Sequence, residues 1–113
     1  MSCKFLYYVN KAYDIPIEPE EGSDITLAEL IADIGLEFKV TLTLATNSTI
    51  YEEFSITNNK IEKDVLNGTI TMLILEGDIT VPGYYNIKYE YSDNNNKARA
   101  ITPCPRRIRF HKQ

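Results

Sequence analysis

Apolar and polar residues alternate over most of this chain. Phe38, Val40, Leu42 and Leu44, led by Leu36, alternate with Glu37, Lys39, Thr41 and Thr43. Period two marks a strand with one buried face. The stretch Val81–Thr102 carries the same signal after Pro82-Gly83. Tyr85, Ile87, Tyr89 and Tyr91 alternate with Tyr84, Asn86, Lys88 and Glu90. Asp93-Asn94-Asn95-Asn96 follows, and these residue types tolerate left-handed backbone. The chain then returns through Lys97, Arg99 and Ile101. The pattern predicts a β-hairpin with a loop of about four residues.

Shorter pieces complete the set. Phe5–Val9 reads as an aromatic strand, and Ala12–Ile17 as a second extended piece, ended by Pro16 and Pro19. Thr49–Phe54 returns after the Ala45–Ser48 turn. Ile61–Leu66 and Thr69–Leu75 flank Asn67-Gly68, a hairpin signal. Thr69–Leu75 turns more apolar at its end, as a central strand does. Pro103-Cys104-Pro105 removes two backbone donors. Arg106–His111 then alternates again, and a Pro-led, Arg-bearing strand suits a sheet edge.

One stretch breaks the β rhythm. Thr26-Leu27-Ala28-Glu29 has the form of a capping box, with Leu27, Leu30, Ile31 and Ile34 at helical spacing and Gly35 after them. It predicts one short helix near 27–34, lying as a lid over the core; an irregular loop is the alternative. Strands recurring every roughly 8–12 residues fit an antiparallel two-sheet sandwich better than a barrel or an α/β sheet. The expectation is one all-β domain over residues 1–113.

Composition narrows the function. The 113 residues are 43% hydrophobic and 25% charged, enough for a core without staples. A net charge of −4 makes a general nucleic-acid binder an unfavoured reading. No apolar run approaches the roughly 18 residues that span a bilayer. The N-terminus is too polar for a signal peptide, so assembly in a cytoplasm is expected. There Cys3 and Cys104 stay thiols; they could pair only if the first and last strands lie side by side. Their spacing matches no zinc pattern.

Candidate chemistry is sparse. His111 is the single histidine and lies near the terminus. No nucleophile–base motif or phosphate loop occurs. Glu52-Glu53 or Glu62/Asp64 could form a glycosidase-type carboxylate pair, but an outward strand face explains them better. The Glu18–Asp24 loop gathers carboxylates as calcium sites do. Its spacing fits no EF-hand, and a solvated loop is the favoured reading. No enzyme, cofactor or metal is expected.

Two features remain. Arg106, Arg107, Arg109, His111 and Lys112 concentrate basic groups in an acidic chain. They read as a docking strand for an acidic protein surface or for nucleic acid, the protein being favoured by the net acidity, or as a charged, protected edge. Tyr7, Tyr8, Tyr84, Tyr85, Tyr89 and Tyr91 read as an interface or as cross-strand packing. The candidate partner-binding set is Arg106, Arg107, Arg109, Tyr84 and Tyr85.

The second half has a familiar order: Thr69–Leu75, a loop, Pro82-Gly83-Tyr84, the Tyr-rich strand, the D-N-N-N turn and a return ending near Thr102. Ile15-Pro16-Ile17, Gly22-Ser23-Asp24 and a long strand precede it. This resembles the immunoglobulin-like modules of bacteriophage virions, such as the N-terminal domain of baseplate upper proteins and head- or tail-fibre anchoring modules. The resemblance implies an immunoglobulin-like sandwich and a non-enzymatic structural role in a virion. In that family the sandwich usually leads into a shaft or receptor-binding part. A module ending at Gln113 implies instead a capsid auxiliary, decoration or connector protein. Its partners would be capsid, fibre or tail subunits, or further copies of itself. A soluble recognition domain for a glycan or a protein is the alternative.

Overall fold

The computed structural model describes residues 6–32, 37–92, 101–103 and 106–112. The elements are β1 (Tyr7–Tyr8), β2 (Tyr13–Pro16), α1 (Leu27–Ala32), β3 (Glu37–Leu44), β4 (Tyr51–Ser55), β5 (Ile61–Asp64), β6 (Thr69–Ile74), β7 (Gly83–Ser92) and β8 (Arg107–His111). They form two sheets, β1-β8-β7-β3-β4 and β2-β6-β5. The fold is all-β and sandwich-like, with one short helix. Among the described residues every pairing between neighbouring strands is antiparallel but one: β1 runs parallel to β8.

The alternation read from sequence is the alternation of burial. Phe38, Val40, Leu42 and Leu44 of β3 point into the core, as do Tyr85, Tyr89 and Tyr91 of β7 and Ile108 and Phe110 of β8. From the smaller sheet come Ile15, Ile61, Ile70, Met72 and Ile74. Rings set the packing. Phe38 meets Tyr89 at 5.3 Å, and Tyr85 meets Phe110 edge-on at 5.5 Å. Such pairs add about 0.5–1.5 kcal/mol beyond their burial. β6 is the central strand of its sheet, as its apolar end suggested.

The helix begins on its capping box. Thr26 Oγ1 accepts from the Glu29 N–H at 3.2 Å, and the Thr26 N–H donates to Glu29 Oε1 at 3.1 Å. Leu30 is fully buried, and the helix packs towards β6. Residues 33 and 34 of the expected helix lie outside the described residues.

Three expectations are corrected. The first is the end of the return arm near Thr102. β7 pairs with β3 on one side and with β8 on the other, from Gly83↔Phe110 to Asn86↔Arg107. The expected turn at 93–96 and the return arm to Ala100 lie outside the described residues. Ile101 and Thr102 are not in a strand. Instead Thr102 holds the acidic loop: Glu20 N–H donates to Thr102 O at 2.6 Å, and Thr102 N–H to Ser23 Oγ at 3.0 Å. The second is the edge assignment. β8 lies between β7 and β1, because the Val9 N–H and the Tyr7–Tyr8 backbone cover its C-terminal half. The first and last strands thus lie side by side, while Cys3 and Cys104 fall outside the described residues.

The third correction is the end of β5. The strand stops at Asp64, and Val65 and Leu66 enter the turn, with Leu66 93% exposed. Asp64 causes this. Its carboxylate accepts from the Asn67 backbone N–H at 3.1 Å and from Asn67 Nδ2 at 2.6 Å, and Gly68 then takes φ +67°. A four-residue loop replaces the two-residue turn that Asn67-Gly68 alone would form. The same Asn67 hydrogen bonds hold the Asp64 carboxyl below its usual range.

One charged cluster ties the sheets together. Lys60, ahead of β5, bonds Asp78 at 3.1 Å and lies 3.9 Å from Glu52 of β4. Asp78 also accepts the Leu75 N–H at 3.0 Å. Partial burial raises the Glu52 carboxyl, against the pull of Lys60 and with a further push from Asp78.

Candidate functional site

The outward face of the larger sheet gathers the exposed functional groups. Parity decides which they are. On β8 the even residues Ile108 and Phe110 are buried, so Arg107, Arg109 and His111 face away from the core. On β7, Tyr85, Tyr89 and Tyr91 are buried, with Ile87 half-buried on the same row, so Tyr84, Asn86, Lys88 and Glu90 face away. The register then sets neighbours: Tyr84 lies opposite Arg109, and Asn86 opposite Arg107. Gly83 opens β7 at φ +138°, where a Cβ would sit 3.2 Å from Leu44 Cδ1. A side chain there would be strained by this backbone conformation and would press on Leu44.

Tyr84 is the centre of the patch. It is 46% exposed. The Arg107 and Arg109 guanidinium carbons lie 5.4 and 5.3 Å from its ring centroid, within cation–π range. Arg107 Nε also donates to Asn86 Oδ1 at 3.3 Å. Among the described residues, no carboxylate lies within 4.0 Å of Arg107 or Arg109. At the rim, Tyr8 and His111 rings stand 5.7 Å apart.

The far half of the face differs. Lys39 lies 3.9 Å from both Glu53 and Glu90, and Lys88 lies 3.9 Å from Glu90. These exposed, long pairs hold little energy, about 0–1 kcal/mol each. The face is therefore basic and aromatic over β8 and the start of β7, and mixed in charge over β3 and β4.

The sequence-chosen residues divide. Arg107, Arg109 and Tyr84 come together. Arg106 does not join them: its Nη2 and Nε donate to Glu20 Oε2 at 3.0 and 3.2 Å. The acidic loop supplies that partner, held by the Pro19–Pro103 bridge. Tyr85 is a core residue, 1% exposed, and its hydroxyl donates to Val81 O at 2.6 Å. That corrects its place in the surface set. Burial, with Glu52 nearby, raises its phenol above the ordinary value. Of the other tyrosines, Tyr89 and Tyr91 are buried, and Tyr7 packs edge-on to Tyr13 at 4.8 Å. Cross-strand packing takes most of them.

Asn86, Lys88 and the exposed Tyr51 on the same face were not singled out in the sequence. Their parity was visible there, but their nearness to Arg107 depends on a pairing between distant segments. Glu52 and Glu53 are adjacent on β4 and so face opposite sides. Neither is placed to act with the other across a bond. Among the described residues, no three His, Cys, Asp or Glu gather at metal-binding distance.

The chain matches no protein-family model, no curated protein and no solved structure.

Proposed function

We propose that this protein is a non-enzymatic binding module that docks on an acidic protein surface through Arg107, Arg109 and Tyr84. One observation carries the reading. Two guanidiniums are held against one exposed ring, and among the described residues they have no carboxylate partner, in a chain of net charge −4. Folding alone gains little from two like charges side by side. A carboxylate on a partner would turn the same arrangement into charge-assisted, bidentate pairing.

The sandwich is read as immunoglobulin-like. Two features support this. The sheet orders β8-β7-β3-β4 and β2-β6-β5 correspond to the G-F-C-C′ and B-E-D orders of that fold. Tyr85, near the start of β7, bonds the backbone four residues upstream, as the tyrosine corner of such domains does. Ile87 stands two residues later, where antibody domains carry a cysteine. The chain has no Trp, so the buried Trp on strand C of antibody domains is missing.

The phage-module resemblance supplies the setting: a virion, assembled in a host cytoplasm. The role is a capsid auxiliary, decoration or fibre-anchoring connector, with a capsid, fibre or tail subunit as partner. One exposed ion pair contributes only about 0–1 kcal/mol, so many copies on a lattice must add to it. The test is incorporation into particles. The Arg107→Ser/Arg109→Ser variant should fold normally, since both side chains are exposed, yet be depleted from purified particles. Rising salt should strip the wild type in the same way. Equal incorporation of variant and wild type at low and high salt would refute the proposal.

A further inference from the structure

We infer that Arg109, Arg107 and Lys88 form a ladder for an extended acidic segment of the partner, one with Asp or Glu at alternate residues. The inference rests on the docking role proposed above and specifies its ligand. Residues two apart on a strand share a face and lie about 6.4–6.8 Å apart. Arg109 and Arg107 are so placed on β8. Arg107 lies opposite Asn86, so Lys88 on β7 occupies the next rung in the same direction. It is offset sideways by one strand, about 4.8 Å, which a Lys side chain spans. An extended peptide repeats its own side chains at the same spacing. Carboxylates at alternate residues therefore match the three cations without distorting either chain.

The ladder is largely formed before binding. The Tyr84 ring holds both guanidiniums, and Asn86 fixes Arg107 further. Ordering cost on docking is lowered accordingly. Lys88 is 73% exposed in its side chain, and its 3.9 Å contact with Glu90 is readily exchanged for a ligand carboxylate.

Two other occupants fit less well. A nucleic acid would want a free ring for stacking, and Tyr84 is taken up by guanidiniums. A longer polyanion would also run onto Glu53 and Glu90. A second copy of this chain offers Glu18-Pro19-Glu20, Glu62-Lys63-Asp64 and Glu76-Gly77-Asp78 at the right alternation, but Glu20 is bound to Arg106, Asp64 to Asn67 and Asp78 to Lys60.

The test is fluorescence anisotropy with two labelled eight-residue peptides of equal composition. One alternates Glu and Thr; the other carries Glu-Glu-Thr-Thr repeats. The alternating peptide should bind several-fold more tightly. Arg107→Gln/Arg109→Gln should weaken it by about tenfold or more at unchanged melting temperature. Equal, Arg-dependent binding of both peptides would overturn the ladder while leaving acidic docking intact. Binding of neither would overturn both. Tighter binding of oligo(dT) than of the alternating peptide would overturn the protein-ligand assignment. Arg-dependent self-association in sedimentation would overturn the separate partner in favour of a second copy.

Discussion

Replacing Leu42 with Ala will lower the unfolding free energy by about 2–5 kcal/mol. Leu42 is fully buried in the middle of β3, the strand flanked by β7 and β4. It lies opposite Ile87 on one side and Glu52 on the other. Its neighbours belong to three strands of one sheet, so the cavity left by truncation collapses poorly, and that argues for the upper part of the range. Thr41→Ala, one residue away on the outward face, should change stability by no more than about 0.5 kcal/mol. Urea midpoints for the two variants provide the check. A Leu42→Ala cost below about 0.5 kcal/mol would mean that the other face of β3 is buried.

Tyr85 should separate ring from hydroxyl. Tyr85→Ala removes a ring that is 1% exposed and packs against Phe110, a loss of about 3–5 kcal/mol on the scale of buried aromatics. Tyr85→Phe keeps the ring and deletes the bond to Val81 O, at a cost of about 0.5–1.5 kcal/mol. The bond joins β7 to the loop that precedes it. The Phe variant should therefore loosen that loop first, seen as faster amide exchange around Val81. A Phe variant as unstable as the Ala variant would mean that the hydroxyl, not the ring, holds this corner.

Strand existence was legible because period two is a local signal. Glu37–Leu44 and Tyr84–Tyr91 announced their buried face, while Leu36 lies outside the described residues. Pairing was not legible. The Asp-Asn-Asn-Asn stretch argued for a local hairpin and lies outside the described residues; the observed partners of β7 are β3 and β8, neither adjacent to it through a tight turn. Nothing local in Arg107–His111 says that Tyr7 and Tyr8 will lie beside it. The Pro-led, Arg-rich pattern read as an edge because it describes the chain's own chemistry, not its neighbours.

The candidate surface was half legible for the same reason. Arg107 and Arg109 are two apart, so their shared face follows from the strand alone. Tyr84 and Tyr85 are adjacent, and the same alternation already assigned them to opposite faces. Grouping both as surface residues overrode that signal. Arg106 looked equivalent to its neighbours until Thr102 and the Glu18–Asp24 loop came together. A contact across more than eighty residues then gave it a carboxylate of its own.

On the proposed function, the outward face of β7 and β8 takes acidic ligands. The most direct measurement of this is an NMR titration of the labelled protein with the alternating Glu-Thr peptide. Shifts are expected at the Arg107 and Arg109 Nε–H groups and at the amides of Tyr84, Asn86 and Lys88, with the β2-β6-β5 sheet unmoved. Shifts centred on the exposed Val65–Leu66 turn, or none at any peptide concentration, would contradict it.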